Sequence, residues 1–403
     1  MRVLVLDTIH GGTLLKERYE ALGHDVDAVD VYRGESGISL EEAKKKRYDL
    51  IVSPVHLDPA YEISCSGGRR ISHHDAVRDL AEKGSADPVI EITGSRGKTT
   101  TAHALAYLMT GKGVLHSSTG TWECPGNHLL WRRSVTPASV IPALEMASGI
   151  SGWCIAEVSL GVTGISDIAV LTSFQDYPIA GGERRAIDAK ISSLNHSPKL
   201  VSEAPVDGYE GENTCVDDVT LVDGDACAYA FDGIEGVFTN PLLTLSGYMM
   251  PLRLAATTAM LLGIDPAPLA SFEALCGRMS HEYAGNRLVL DNSNSGTNAV
   301  TSDEACVYAR VLSGIEDIVL VIGIEAKNIC EGFPVRDVAA AVRVTEPAIV
   351  IYVGDEKDLC ELKDMPGMKR YAMSRSESLE AARKTALEIP GDMSIVLSVK
   401  TWR

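Results

Sequence analysis

The segment Gly94-Ser95-Arg96-Gly97-Lys98-Thr99-Thr100-Thr101 carries the densest chemical signal in this 403-residue chain. Glycines let backbone N–H groups close on phosphate oxygens, and a helix N-terminus favours the bound anion. A lysine at position 98 can bridge phosphates, and the hydroxyl of Thr99 offers an oxygen to Mg²⁺. The segment follows Val89-Ile90-Glu91-Ile92-Thr93, which reads as a strand, and runs into the helix-compatible Ala102-His103-Ala104-Leu105-Ala106-Tyr107-Leu108-Met109. Strand, glycine loop and helix in that order are the setting of a phosphate loop, whereas an ordinary glycine turn needs neither the lysine nor the hydroxyls. Gly94, Ser95, Arg96, Gly97, Lys98, Thr99 and Thr100 are therefore the candidate nucleotide-binding residues. Only two residues separate the two glycines, against four in the commoner G-x-x-x-x-G-K-T form.

Such a loop needs a sheet edge to hold it, and the chain shows three α/β stretches that could supply one. Residues 1–86 alternate the strand-like Val3 to Leu6, a helical Leu14 to Leu22, a charged helix Leu40 to Arg47 and a strand Leu50 to Val55. Turn residues from Glu82 to Pro88 break the pattern. A central unit, 87–279, holds the phosphate loop, the apolar runs Trp153 to Val158 and Ile168 to Thr172, and an alanine-rich helix Leu252 to Leu262. Between Pro205 and Asn240 it reads as irregular or antiparallel strand. A third unit, 280–403, contains Arg287 to Leu290, Ile318 to Ile322, Ile349 to Val353 and Ser394 to Val399, separated by helical stretches.

Lysine and arginine total 37 against 55 aspartate and glutamate, and the resulting charge of −18 disfavours nonspecific binding to nucleic acid or an anionic membrane. No apolar run approaches the roughly eighteen residues of a membrane span, so the chain is expected to work in the cytoplasm. Nine cysteines without a C-x-x-C pair give no zinc or disulfide framework. No heptad seam fixes an oligomeric state.

The short G-x-x-G-K-T-T loop resembles that of the Mur ligase family, and later segments follow in the matching order. Ser118-Thr119-Gly120-Thr121 resembles the segment leading away from the nucleotide, and Thr136-Pro137 the Thr-Thr-Pro motif. Ile155-Ala156-Glu157-Val158-Ser159 is similar to the strand-end Glu-x-Ser segment, which implies that Glu157 is a Mg²⁺ ligand near the ATP γ-phosphate; an exposed strand-end glutamate is the alternative. Leu171-Thr172-Ser173-Phe174-Gln175-Asp176-Tyr177 resembles the family's Asn-x-x-x-Asp-His segment. There Asp176 is available to a metal, but Tyr177 stands where a histidine often does. Lys190 occupies the position of a lysine that many members carry as a carbamate; an exposed helical lysine is the alternative. Gly247-Tyr248-Met249-Met250-Pro251-Leu252-Arg253 departs from the family's Gly-x-His-Asn-x-x-Asn motif, so adenosine must be held differently. Asn286 to Asn298 resembles the family's loop over ATP, which implies that Asp291 and Asn292 face the nucleotide; a turn-rich loop is the alternative.

The resemblance implies three α/β domains: a small N-terminal Rossmann-like domain for substrate, a central P-loop ATPase-type domain and a C-terminal Rossmann-like domain. ATP and Mg²⁺ are the implied cofactors, and Lys98, Glu157 and Lys190 the implied catalytic residues. With no Ser-His-Asp or Cys-His signature, these pieces suit phosphoryl transfer to a substrate carboxylate, followed by displacement of phosphate from the acyl phosphate. The N-terminal unit has Asp7-Thr8-Ile9-His10-Gly11-Gly12 in place of the glycine pattern that holds UDP-sugars. These departures are similar to an archaeal branch of the family, which implies an anionic small-molecule substrate, a nickel tetrapyrrole, closed into a ring by its own carbon nucleophile. Arg69-Arg70, Arg132-Arg133 and Arg184-Arg185 are candidate carboxylate contacts. His10, His56, His73 and His74 are candidate nickel contacts, each with a plain structural alternative. An amide-forming ligase and an inactive nucleotide-binding homologue remain open.

Overall fold

The structure, a computed structural model, describes residues 1–61, 68–325 and 332–401. It divides into two compact units, Met1–Phe272 and Glu273–Arg403. Within the first unit, a four-stranded parallel sheet runs in the order Asp25–Val29, Arg2–Leu6, Leu50–Ser53, Arg69–Ser72. Alternation along the Arg2–Leu6 strand sends Val3 and Val5 to one face, where Leu15, Tyr19, Ala76 and Val77 cover them. Leu4 and Leu6 point to the other face, against Val29, Ile51, Tyr48 and Leu57. Both faces are covered, which is why the strand is apolar throughout. The first of these cores also takes in Ala138, Val140, Ile141, Ala156 and Val158. The turn-rich Glu82–Pro88 stretch is thus a break in secondary structure across which packing continues.

Those last residues belong to an eight-stranded sheet ordered Glu212–Cys215, Lys199–Ser202, Ile168–Leu171, Val89–Thr93, Trp153–Glu157, Gly113–Ser117, Gly120–Cys124, His128–Trp131. The first six strands pair in parallel, and the last two pairings, on either side of Gly120–Cys124, are antiparallel. Registers Leu171↔Thr93 and Ile92↔Glu157 bring the carboxyl ends of three neighbouring strands side by side. That edge is where parallel sheets bind ligands.

Two sequence expectations need correction. Helix covers only Leu40–Ala43 of the expected Leu40–Arg47, stopped within a run of four cations where Lys46 turns onto Asp27 at 2.9 Å. The alanine-rich helix spans Ser246–Leu261 and so begins before Leu252, with Pro251 inside it. Burial of Leu252, Leu254, Ala255, Ala256 and Ala259 outweighs the bond that proline removes from the helix ladder, a loss of about 3 kcal/mol. The stretch between Pro205 and Asn240 is antiparallel where its sequence allows it, in a sheet of Thr220–Asp223, Ala226–Phe231 and Ile234–Thr239. Its second hairpin turns on Asp232-Gly233, both with positive φ, the two-residue turn that Asp-Gly favours.

The second unit is a six-stranded sheet ordered Ser280–Ala284, Arg287–Asp291, Ser394–Lys400, Ile318–Ile324, Ile349–Val353, Ala372–Ser376, parallel except for its first strand. Leu379, Ala382 and Ala386 of a helix cover Val319, Val321, Ile351 and Val353 on one face. Arg287 donates to the carbonyls of Ala386 and Ile389 at 3.1 and 3.0 Å, closing that helix's C-terminus. Among the described residues, no helix is long and apolar enough to cross a membrane.

Candidate active site

The glycine loop leaves the strand Val89–Thr93 and enters the helix Lys98–Leu108. Gly94 has φ 143° and Gly97 φ 82°, and a Cβ on Gly94 would lie 2.1 Å from Thr172 Oγ1. Only glycine allows that turn so close to the neighbouring strand end. The N–H groups of Ser95 and Arg96 both donate to Ser173 Oγ, at 3.0 and 3.2 Å. Two loop amides aimed at one oxygen have the geometry of an anion nest.

Lys98, next along the loop, donates from Nζ to the Gly94 carbonyl at 3.0 Å and stands 3.8 Å from Glu157 Oε1. Thr99 Oγ1 donates to Glu157 Oε2 at 2.9 Å and lies 2.9 Å from Ser118 Oγ, while Ser118 N donates to the same carboxylate oxygen at 3.0 Å. Glu157 ends its strand buried. Two hydroxyls and a buried carboxylate make an all-oxygen donor set, the kind that Mg²⁺ prefers beside bound phosphates. The residues present therefore fit Mg²⁺. Thr99 and Glu157 come together as the sequence suggests, whereas Asp176 accepts from Arg185 Nε at 2.6 Å and from the N–H of Ile187 at 3.1 Å. Asp176 thereby anchors the start of the helix Ala186–Leu194, which carries Lys190.

The side chain of Lys190 is fully buried, so the exposed-lysine alternative fails. Its Nζ donates to Ser95 Oγ at 2.8 Å and sits 5.0 Å from the Tyr177 ring centroid. Tyr177, in the place expected of a histidine, covers this amine. Burial, with help from the Lys98 charge and against that of Asp176, pushes the amine down to about 8. Lys190 is thus tied to the phosphate loop and gives up its proton more readily than an exposed lysine.

Other expected residues have different placements. Thr100 is buried in the helix after the loop, and Arg96 is exposed. Asn292 faces inward within the second unit and donates to the Thr301 carbonyl at 3.0 Å and to Ser398 Oγ at 3.3 Å. Asp291 accepts from the N–H of Ser293 at 2.9 Å, a local turn bond. Arg253 is a buried clamp on Asp217 and Thr220. His73 and His74 donate to the carbonyls of Leu6 and Ser159, and burial pushes both down to about 4. Both rings are buried and tied to backbone carbonyls, the arrangement of the plain structural alternative. Sequence reasoning missed Ser173, whose only mark was a hydroxyl just past a strand. It also missed Glu91, fully buried, which accepts from the N–H of Thr163 at 2.9 Å and of Gly164 at 3.0 Å and so fixes the loop after Glu157.

Lys98→Ala should abolish binding of a fluorescent ATP analogue in the presence of Mg²⁺. Glu157→Gln should keep binding but lose its dependence on Mg²⁺, with thermal unfolding shifted little. Wild-type binding curves in both variants would show that the loop does not hold nucleotide.

Residues 281–401 match the family profile described as Coenzyme F430 synthetase CfbE, C-terminal domain. The chain is 30% identical over 477 residues to the Coenzyme F(430) synthetase of Methanosarcina acetivorans, covering 100% of this chain and 99% of that one. It is 23% identical over 235 residues to the Coenzyme F(430) synthetase of Methanocaldococcus jannaschii, covering 52% of this chain and 54% of that one. In fold it is similar to the UDP-N-acetylmuramoylalanyl-D-glutamyl-2,6-diaminopimelate--D-alanyl-D-alanyl ligase of Acinetobacter baumannii, with TM-score 0.57, 12% identity and coverage of 86% and 80%. The UDP-N-acetylmuramate-alanine ligase of Thermotoga maritima gives TM-score 0.53 at 14% identity, with coverage of 99% and 95%. The phosphate-loop geometry at the strand ends, the three-domain α/β fold of Mur ligases and the full-length match agree: the chain belongs to the coenzyme F(430) synthetase family of ATP-dependent ligases.

Proposed function

We propose that this ligase closes the carbocyclic ring of a nickel tetrapyrrole, 15,17(3)-seco-F(430)-17(3)-acid, a reading supported by the likeness to the Coenzyme F(430) synthetase of Methanosarcina acetivorans. The observation that carries the reading is the convergence of Lys98, Thr99, Ser118 and Glu157 at one sheet edge, in a chain matched end to end by that relative. We place the domain boundaries after residues 86 and 279, with the substrate held by the N-terminal domain.

In this reading a propionate oxygen of the substrate attacks the γ-phosphorus of ATP, the bond to the β-phosphate oxygen breaks, and ADP leaves. Lys98 and the loop amides of Ser95 and Arg96 neutralise the charge that develops on the transferred group. Bound Mg²⁺, held by Thr99 and Glu157, would supply further charge stabilisation at the phosphates. A carbon of the same macrocycle then loses a proton and attacks the acyl carbonyl. The C–O bond to phosphate breaks, and phosphate departs.

Lys190 acts in this scheme as a carbamate, because an amine held down at about 8 has a substantial neutral fraction to react with carbon dioxide. Protein equilibrated with ¹³C-bicarbonate should show a carbamate carbonyl resonance that grows between pH 7 and 9 and is missing in Lys190→Arg. An identical spectrum in both proteins would leave Lys190 as an amine.

The reaction itself is tested by supplying ATP, Mg²⁺ and the seco-acid alone. One ADP per ring closed, with a change in the visible spectrum, is expected. Turnover only when an amine is also supplied would make the chain an amide-forming ligase. Nucleotide binding without turnover on any acid would make it an inactive homologue.

A further inference from the structure

The loop after the first strand gathers donors that the nucleotide chemistry does not use. Asp7 is fully buried and adopts φ 72°, a left-handed conformation that costs a non-glycine residue of order 1 kcal/mol or more. Its Oδ1 accepts from the N–H groups of Ile9 and His10 at 3.0 and 3.1 Å, which leaves Oδ2 facing two imidazoles. His10 Nδ1 lies 2.6 Å from Oδ2, and His56 Nε2 lies 3.7 Å from it. One ligand atom from each of Asp7, His10 and His56 falls within 4.8 Å of the others.

The surroundings hold the two rings in place. The rings of His10 and His56 meet edge to face at 5.0 Å, and Tyr32 stacks on His56 at 6.2 Å with 13° between planes. Gly11, at φ 97°, sits so close to the central domain that a Cβ there would lie 2.8 Å from Thr136 Oγ1. A Cβ on Gly12 would lie 2.1 Å from the Asp7 carbonyl, so the His-Gly-Gly run lets the backbone fold under the carboxylate. An Asp–His ion pair accounts for one imidazole only. The second converges on the same oxygen at a distance too long for a hydrogen bond, with its ring nitrogens making none among the described residues.

We propose that Asp7, His10 and His56 form a binding site for a divalent first-row transition metal. Two imidazoles and one carboxylate suit Ni²⁺, Co²⁺ or Zn²⁺, whereas the all-oxygen set at Thr99 and Glu157 suits Mg²⁺. The ion takes the place of the proton between His10 Nδ1 and Asp7 Oδ2, and that proton leaves to solvent. Two sources carry this chemistry: a free aquo ion, and the nickel of a tetrapyrrole, which offers an axial position to one imidazole. The second source rests on the substrate reading above; the first does not.

The test uses the purified full-length protein, stripped with chelator and kept in excess Mg²⁺. Titration with Co²⁺, followed by its visible absorption, and with Ni²⁺, followed by calorimetry, should show one site. His10→Gln and His56→Gln should each weaken it at least about tenfold. Binding of the Mg²⁺–ATP analogue by the two variants should stay at the wild-type level, which reports that they fold. In a second arm the nickel seco-acid is added without ATP, and nickel K-edge absorption reads its axial ligands. An added axial nitrogen in wild type that is missing in His10→Gln or His56→Gln, with the tetrapyrrole still co-eluting, would assign the site to macrocyclic nickel. Absence of both ion binding and a variant-dependent axial nitrogen would overturn the proposal. Failure of the tetrapyrrole to co-elute with wild type would instead count against the substrate reading, and the ion titration would still decide this site.

Discussion

A carboxylate buried at the end of a parallel strand is costly unless its charge is met, and Glu157 is met by three residues. Thr99 and Lys98 approach from the first turn of the helix that follows the glycines, and Ser118 from the turn between two antiparallel strands. Thr99 and Lys98 depend on the pairing of Val89–Thr93 with Trp153–Glu157, and Ser118 on the pairing of Trp153–Glu157 with Gly113–Ser117, so both registers must be right for the site to exist. Supporting contacts serve the same end. His116 Nδ1 lies 2.8 Å from Thr121 Oγ1 across the turn that presents Ser118, and Glu91 ties down the loop that follows Glu157. Removal of the Glu157 charge would leave Lys98, Thr99 and Ser118 without the group that orients them.

Lys190 extends this arrangement to the far side of the loop. Its amine reaches Ser95, whose hydroxyl also donates to the Gln175 carbonyl at 2.6 Å, and Tyr177 closes over it. The replacement of a histidine by Tyr177 exchanges a metal-ligating group for an aromatic cover. Asp176, fixed by Arg185 and the start of the Lys190 helix, becomes a positioning residue in this arrangement.

Much of this was legible because it is local. The phosphate loop declares itself through strand, glycines, lysine and helix within a dozen or so residues, and apolar runs such as Val89–Thr93 can only be buried strands. Glu157 was singled out through the resemblance of its segment, and the structure shows it buried against Thr99 and Ser118. Long-range relations were not legible. Nothing in the spacing of His10 and His56 shows that parallel pairing of Arg2–Leu6 with Leu50–Ser53 brings their loops to one carboxylate. Asn292 reads as a polar loop residue, yet the neighbouring Ser394–Lys400 strand turns its amide inward onto Ser398. The antiparallel sheet after Thr220 carried an Asp-Gly turn signal that an acidic, glycine-containing stretch obscures.

Transfer of the γ-phosphoryl group of ATP to a substrate carboxylate at the sheet-edge site would carry one carboxylate oxygen onto phosphorus. The direct measurement is a single-turnover reaction with ¹⁸O in both oxygens of that carboxylate, followed by mass analysis of the released phosphate. One ¹⁸O in each phosphate is the expected result, since the acyl oxygen that attacked phosphorus leaves with it. Phosphate free of label, with ring closure still coupled to ADP release, would contradict the acyl-phosphate mechanism and the role given to Lys98, Thr99 and Glu157.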